Sequence, residues 1–309
     1  EKIAALRTSG ITAMAMNMTA NYAELSLADS LFAAVRDRIN TWDRFVADHS
    51  DIFVKVTTMA ELDAVKRSGK VGFIYCFQMS APFGWDLDKL RTYADMGVRQ
   101  IQFVDGRRNY LADSCWERAN AGLSQFGFDV VAALNERGVI VDLSHVGDRT
   151  TLDAAELSEQ PVACTHANAR TFFDHVRNKT DDALNLIVEK GGVIGANAFP
   201  PFLRKGFEST LDDYVDAIDD LVERVGIDHV GIGTDFTQDQ PKAFFDWIFS
   251  QQGTKLQDRA IAYPDPVVHP EGMETPDKFF NIALALSARG YGAQDVRKVL
   301  GGNWLRLFK

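Results

Sequence analysis

Cysteine is scarce in this chain. The three present among 309 residues, Cys76, Cys115 and Cys164, are too few and too irregularly spaced for a disulfide framework or a zinc knuckle, and read as buried or near-site thiols in a reducing compartment. Basic residues are outnumbered, 33 against 43 acidic ones, and the net charge of -10 argues against a nucleic-acid or anionic-membrane partner. No apolar run approaches the roughly 18 residues of a membrane span. No charged-then-apolar segment of the signal kind opens the chain, so a cytoplasmic location is the expectation. Pro/Gly/Ser-rich linkers and low-complexity runs are also lacking, which leaves residues 1–309 to be read as one single-core domain. Finally, no G-x-G-x-x-G follows the first strand, which removes the main support for an open doubly wound sheet.

What the chain does have is alternation. Short, nearly continuous apolar runs rich in β-branched residues alternate with longer amphipathic ones, as repeated βα units require when parallel strands are covered on both faces. The expected strands are "GITAMAMNMT" (10–19), "VGFIYCFQ" (71–78), "VRQIQFVD" (98–105), "GVIVDLSH" (138–145), "PVACTH" (161–166), "GVIGANAF" (192–199) and "HVGIGTDF" (229–236). Residues 123–138 and 209–226 show helical spacing, the first closing on Gly138 and the second opening on Ser209 or Thr210. The stretch 275–308 reads as two or three helices without a strand. Seven strands fall one short of a (β/α)8 TIM-type barrel, so the missing strand is expected upstream of Glu1, before the helical "EKIAALRTSG".

Two expected strands run into a histidine, His145 and His166, and a later one runs into Asp235. In a βα barrel the C-terminal strand ends converge on the catalytic mouth. Imidazole and carboxylate there suit a zinc-type metal or a proton-transfer site.

Seven motifs in order, "GLSQFG" (122–127), "GVIVDLSHV" (138–146), "THANAR" (165–170), "HVRN" (175–178), "EKGGVIGANAF" (189–199), "GIGTDF" (231–236) and "GGNWLRLF" (301–308), resemble the membrane dipeptidase (renal dipeptidase) family. The chain looks like a divergent, bacterial-type member with altered metal ligands. The resemblance implies an α/β fold of the metal-dependent amidohydrolase kind. It also implies hydrolysis of a dipeptide or small N-acyl amino acid by metal-activated water. It makes His145 and His166 ligands of the second zinc, Asp235 a ligand of the first and a proton carrier, and Arg177 the holder of the substrate carboxylate.

The departures from the family pattern are specific. Gln78 stands where the family has a glutamate bridging two metals, and a neutral amide bridges two dications poorly. Asp105 replaces a histidine near the scissile carbonyl and becomes a candidate acid or base. The family's His-x-Asp pair on the first strand has no counterpart here. One zinc at most, or none, is therefore expected. The other reading of the same residues is a metal-depleted barrel that binds or transforms a small carboxylated metabolite through Arg177.

Asn109 opens the segment 109–122, which is expected to cover substrate, and is a second candidate contact to it. His175 is as readily structural as functional, and His229 falls at a strand start, the stability end of a barrel. His269 lies in a Pro-rich loop, near the mouth or at a homodimer interface. The aromatic run 243–249 reads as helix core, although such faces can also cage a cation.

Overall fold

The computed structural model describes residues 2–19, 28–237, 240–246 and 262–308, so 247–249 of the aromatic run lie outside the described residues. The chain falls into two compact units, one reaching to Gln160 and one from Pro161 to Leu307.

The first unit opens with helix α1 (Lys2–Thr8) and strand β1 (Ala13–Asn17), followed by α2 (Ala28–Asp48), β2 (Phe53–Lys55) and α3 (Met59–Ser68). It continues through β3 (Val71–Phe77), α4 (Leu87–Asp95), β4 (Val98–Gln102), α5 (Gln125–Glu136), β5 (Ile140–Asp142) and α6 (Asp148–Leu157). All strand pairs are parallel: β1 aligns Ala13 with Gly72 of β3, and β4 aligns Gln100 with Ile140 of β5. Every residue of β3 is buried, which explains its unbroken apolar sequence. The helix starts are written locally. Thr58 and Glu61 form a reciprocal capping box on α3, with Gly69 at φ 70° as its left-handed stop. Ser124 accepts from the Gly127 amide to begin α5.

Strand β2 is not among the seven expected from sequence. It pairs with the first half of β3 (Phe53 with Val71, Lys55 with Phe73), while β4 takes the second half (Tyr75 with Val98, Phe77 with Ile101). With β1 along the opposite edge, β2 and β4 share one edge of β3 end to end. Three residues are too few to show a periodicity.

The second unit runs β6 (Ala163–Cys164), α7 (Asp181–Glu189), β7 (Val193–Asn197), α8 (Leu211–Val225) and β8 (Val230–Gly233), again with parallel pairing. Helices Phe280–Ala288, Ala293–Arg297 and Asn303–Leu307 follow, and the expectation of helices without a strand over 275–308 holds. Thr210 caps α8 through a box with Asp213. The motifs picked out in the sequence pack on one another here. Gly231 leaves room for the Trp304 indole, whose Nε1 donates to the Ile232 carbonyl at 3.1 Å, and Asn303 Nδ2 donates to Val230 at 2.7 Å. The Thr165 carbonyl nests against Gly195 and Gly233, and a methyl group at either glycine would collide with it.

Candidate active site

Each candidate group follows the C-terminal end of its strand. Gln78 comes directly after β3, Asp105 and His145 three residues after β4 and β5, and His166 and Asp235 two residues after β6 and β8. Chemistry-bearing side chains at such ends sit where the strand stops supplying ladder partners and loops begin.

In the first unit, Asp105 and His145 meet. His145 Nδ1 lies 3.0 Å from the Asp105 carboxylate and 3.0 Å from the Asp105 backbone carbonyl. Both neighbours are acceptors, so Nδ1 carries the proton and the lone pair of the neutral ring sits on Nε2. The imidazole is 7% exposed, so its orientation is fixed by packing as well. An imidazole held this way by a carboxylate can accept a proton or ligate a metal through Nε2. The segment after Asp105 is tied to the same strand end: Cys115 N–H donates to the His145 carbonyl at 2.9 Å, and Ser114 bridges Val146. Asn109 is used within that segment. Its Nδ2 donates to Ser80 Oγ and the Phe103 carbonyl, both at 2.9 Å, and its Oδ1 accepts from the Leu111 amide at 2.8 Å. Its place is that of a loop clamp.

Gln78 belongs to an amide network that sequence reasoning missed. Asn17 Nδ2 donates to Gln78 Oε1, and the buried Thr19 side chain accepts from the Gln78 amide at 3.0 Å. Gln102, fully buried, donates Nε2 to the Gln78 and Val104 carbonyls at 2.7 Å each, and among the described residues its Oε1 has no partner. Asn17 ends β1, so the strand-end rule that singled out Gln78 would have found it too.

In the second unit, the ring Nδ1 of His166 lies 2.8 Å from Thr165 Oγ1, and its backbone carbonyl accepts from Arg177 Nη2 at 3.3 Å and Asn197 Nδ2 at 3.2 Å. Arg177 is 1% exposed, with its guanidinium carbon 5.1 Å from the Phe202 ring centre. His175 accepts from the Arg177 amide at 3.2 Å and packs 5.0 Å from Phe202, so it shapes the arginine's loop. Asp235 adopts φ 52°, an uncommon left-handed conformation for a residue other than glycine that aspartate tolerates better than most. Beside it, His269 is 4% exposed: Nε2 accepts from the Thr237 amide at 2.9 Å, and its ring centre lies 4.1 Å from that of Phe236. No local pattern links positions 269 and 237, which is why the sequence left His269 in a loop. His229 lies before β8 begins, away from the strand end, and its Nδ1 donates to the Gly192 carbonyl at 2.8 Å. Phe245 of the aromatic run is buried with Phe199, Phe202, Tyr263 and Val267, as core.

Two of these histidines set a pH dependence. Burial, then the charges of Arg177 and Arg170, lowers His175 from 6.5 to about 4. Burial lowers His269 to about 4 as well, against the pull of Asp235. Between these values the unfolded chain binds the extra protons, so stability present above about 6.5 is lost as pH falls toward 4, by on the order of 3 kcal/mol at most for each ring. Urea midpoints at pH 7.5 and 4.5 check this. The decline should shrink when both rings are replaced by glutamine, and an equal decline in that variant would assign it to other groups.

A family that is metal-dependent raises the question of fit. His145 Nε2 suits a metal, yet among the described residues no three His, Cys, Asp or Glu side chains gather as a cage. The described residues therefore do not fit the two-zinc centre implied by the resemblance.

Comparison with known proteins defines the class first. The chain superposes on an amidohydrolase from Pseudomonas aeruginosa with a TM-score of 0.90 at 33% identity, covering 99% of this chain and 91% of that one. It also matches a metallo peptidase from Rhodobacter sphaeroides liganded with a phosphinate mimic of the dipeptide L-Ala-D-Ala, with a TM-score of 0.80 at 24% identity, over 99% and 88% of the two chains. The fold is α/β, of the TIM-barrel kind found in amidohydrolases. Residues 4–249 match the family described as Membrane dipeptidase (Peptidase family M19), and the chain belongs to that family. Among curated relatives, Dipeptidase tcpJ of Claviceps purpurea is 28% identical over 90% of this chain and 60% of its own length. An uncharacterized dipeptidase of Schizosaccharomyces pombe is 33% identical over 56% and 43%. The chain thus spans about three fifths or less of these relatives. No helix among the described residues is long and apolar enough to cross a membrane.

Proposed function

We propose that the protein is a dipeptidase-like hydrolase that cleaves the amide bond of a dipeptide or small N-acyl amino acid carrying a free carboxylate. Family membership over residues 4–249 carries this reading. The side chains support it. His145, its Nδ1–H held by Asp105, offers Nε2 to take a proton from the attacking water, and the Asp105 carboxylate stabilises the imidazolium that forms. His145 then gives that proton to the departing amine, and Asp235 is a candidate second proton carrier by the family resemblance alone. Arg177 holds the carboxylate, a task that suits a planar, bidentate guanidinium. Metal-activated water would ask for a cage of three or more His, Cys, Asp or Glu side chains, which the described residues do not form, and one zinc at most is the expected content. Binding without hydrolysis is the less favoured reading, because the relatives matched are dipeptidases by name.

Arg177→Met keeps the stem and deletes the fork. Catalytic efficiency on a panel of dipeptides should fall by about 1.5–3 kcal/mol, roughly tenfold to a hundredfold, with lysine rescuing in part. A thermal melt controls for the lost bond to the His166 carbonyl. Parent-like turnover in a folded Arg177→Met protein would mean that another cation holds the carboxylate.

A further inference from the structure

Gln78 occupies the position where a cation-bridging carboxylate is expected, and the question is which end of its amide faces outward. A chain of hydrogen bonds answers it. The Thr19 backbone N–H can only donate, and it donates to Asn17 Oδ1 at 2.8 Å. The Thr19 hydroxyl, which accepts from the Gln78 amide, gives its own proton to the same Oδ1, also at 2.8 Å. Two donors on one atom fix that atom as the oxygen, and so the other end of the Asn17 amide is Nδ2. Asn17 Nδ2 faces Gln78 at 2.5 Å, which requires an oxygen there, Oε1. The remaining end of Gln78 is Nε2, a donor. The residue is partly exposed, and among the described residues no hydrogen bond of Nε2 is formed.

We infer that Gln78 is a hydrogen-bond donor to an oxygen of the substrate, a carbonyl or carboxylate oxygen, and that it excludes a cation from this position. The substitution does more than remove a negative charge from the family's pattern. It reverses the polarity presented, because an NH2 group turned outward repels a metal and attracts an acceptor. Thr19 and Asn17 hold the amide against the flip that would restore a carbonyl ligand. Turning Gln78 over would set its NH2 against the Asn17 NH2, and turning Asn17 as well would set an NH2 against the Thr19 N–H. This inference rests on the hydrolase reading only for the identity of the substrate.

The test uses the full chain and two readouts that do not need turnover. In the first, zinc chloride is titrated by calorimetry into the parent and into Gln78→Glu. The variant should bind zinc at least tenfold more tightly, and a parent within threefold of it overturns the inference. In the second, the side-chain NH2 resonances of Gln78, assigned by their loss in Gln78→Glu, are followed by amide NMR. They should shift on adding D-alanine if a carboxylate is the acceptor, or N-acetyl-D-alaninamide if a carbonyl is, and should be indifferent to zinc. Silence with both organic probes, or a response to zinc, overturns the donor role. A parent inactive on every dipeptide that still shows these shifts would keep the inference while sinking the hydrolase reading.

Discussion

Replacing His145 with alanine is expected to lower the rate of dipeptide hydrolysis by about 10²–10⁴-fold, the usual worth of a positioned acid or base. The expectation rests on one geometric fact: two acceptors of Asp105 surround Nδ1, so the ring can present only one lone pair, on Nε2. Asp105→Asn separates orientation from chemistry. It leaves the shape of the pair unchanged but can put an NH2 against Nδ1–H or force the other tautomer, and should cost roughly tenfold to a hundredfold. The measurement is kcat for both variants, with circular dichroism to show that they fold. An Asp105→Asn enzyme more impaired than His145→Ala would invert the assignment, making the carboxylate itself the proton carrier.

The second large effect is on stability. Gly233→Ala should destabilise the protein by about 3 kcal/mol or more, because the new methyl would collide with the Thr165 carbonyl and lie 2.8 Å from the Gly195 carbonyl. All of these are backbone atoms, of β7 and of the residue that follows β6, and they cannot rotate away. Gly292→Ala is the control. Its methyl would meet only Asp295 Oδ2, at 3.8 Å, and the cost should stay below about 1 kcal/mol, that of a weaker helix cap. Denaturant midpoints for the pair decide the matter, and a Gly233→Ala protein as stable as Gly292→Ala would mean that the strands can part at little cost.

The strands and strand-end candidates were legible because parallel strands buried on both faces are written as unbroken apolar runs, and Val71–Phe77 is the clearest of them. Strand β2 was illegible because three residues hold no period. Gln78, Asp105, His145, His166 and Asp235 could be placed at strand ends from sequence, but not their partners. That Asp105 grips His145 across 40 residues, or that His269 accepts a hydrogen bond from the Thr237 amide across 32, is a product of long-range folding that no local pattern carries. The donor end of Gln78 was illegible for a different reason. A residue's letter states that an amide is present, and only the backbone N–H of Thr19 states which way it is turned.

The carbonyl of Thr165, seated between two glycines, has a mechanical meaning. It precedes His166 by one residue, and Gly233 precedes Asp235 by two, so the two chemical groups hang from a single backbone contact with no side chain between to bend. Such a joint behaves as a gauge block. Rotamers around it can jitter, and residues such as Gln78 can change identity elsewhere in the chain. The spacing of these two main-chain anchors is set by backbone packed against backbone, which leaves no room at the joint for a side chain to give.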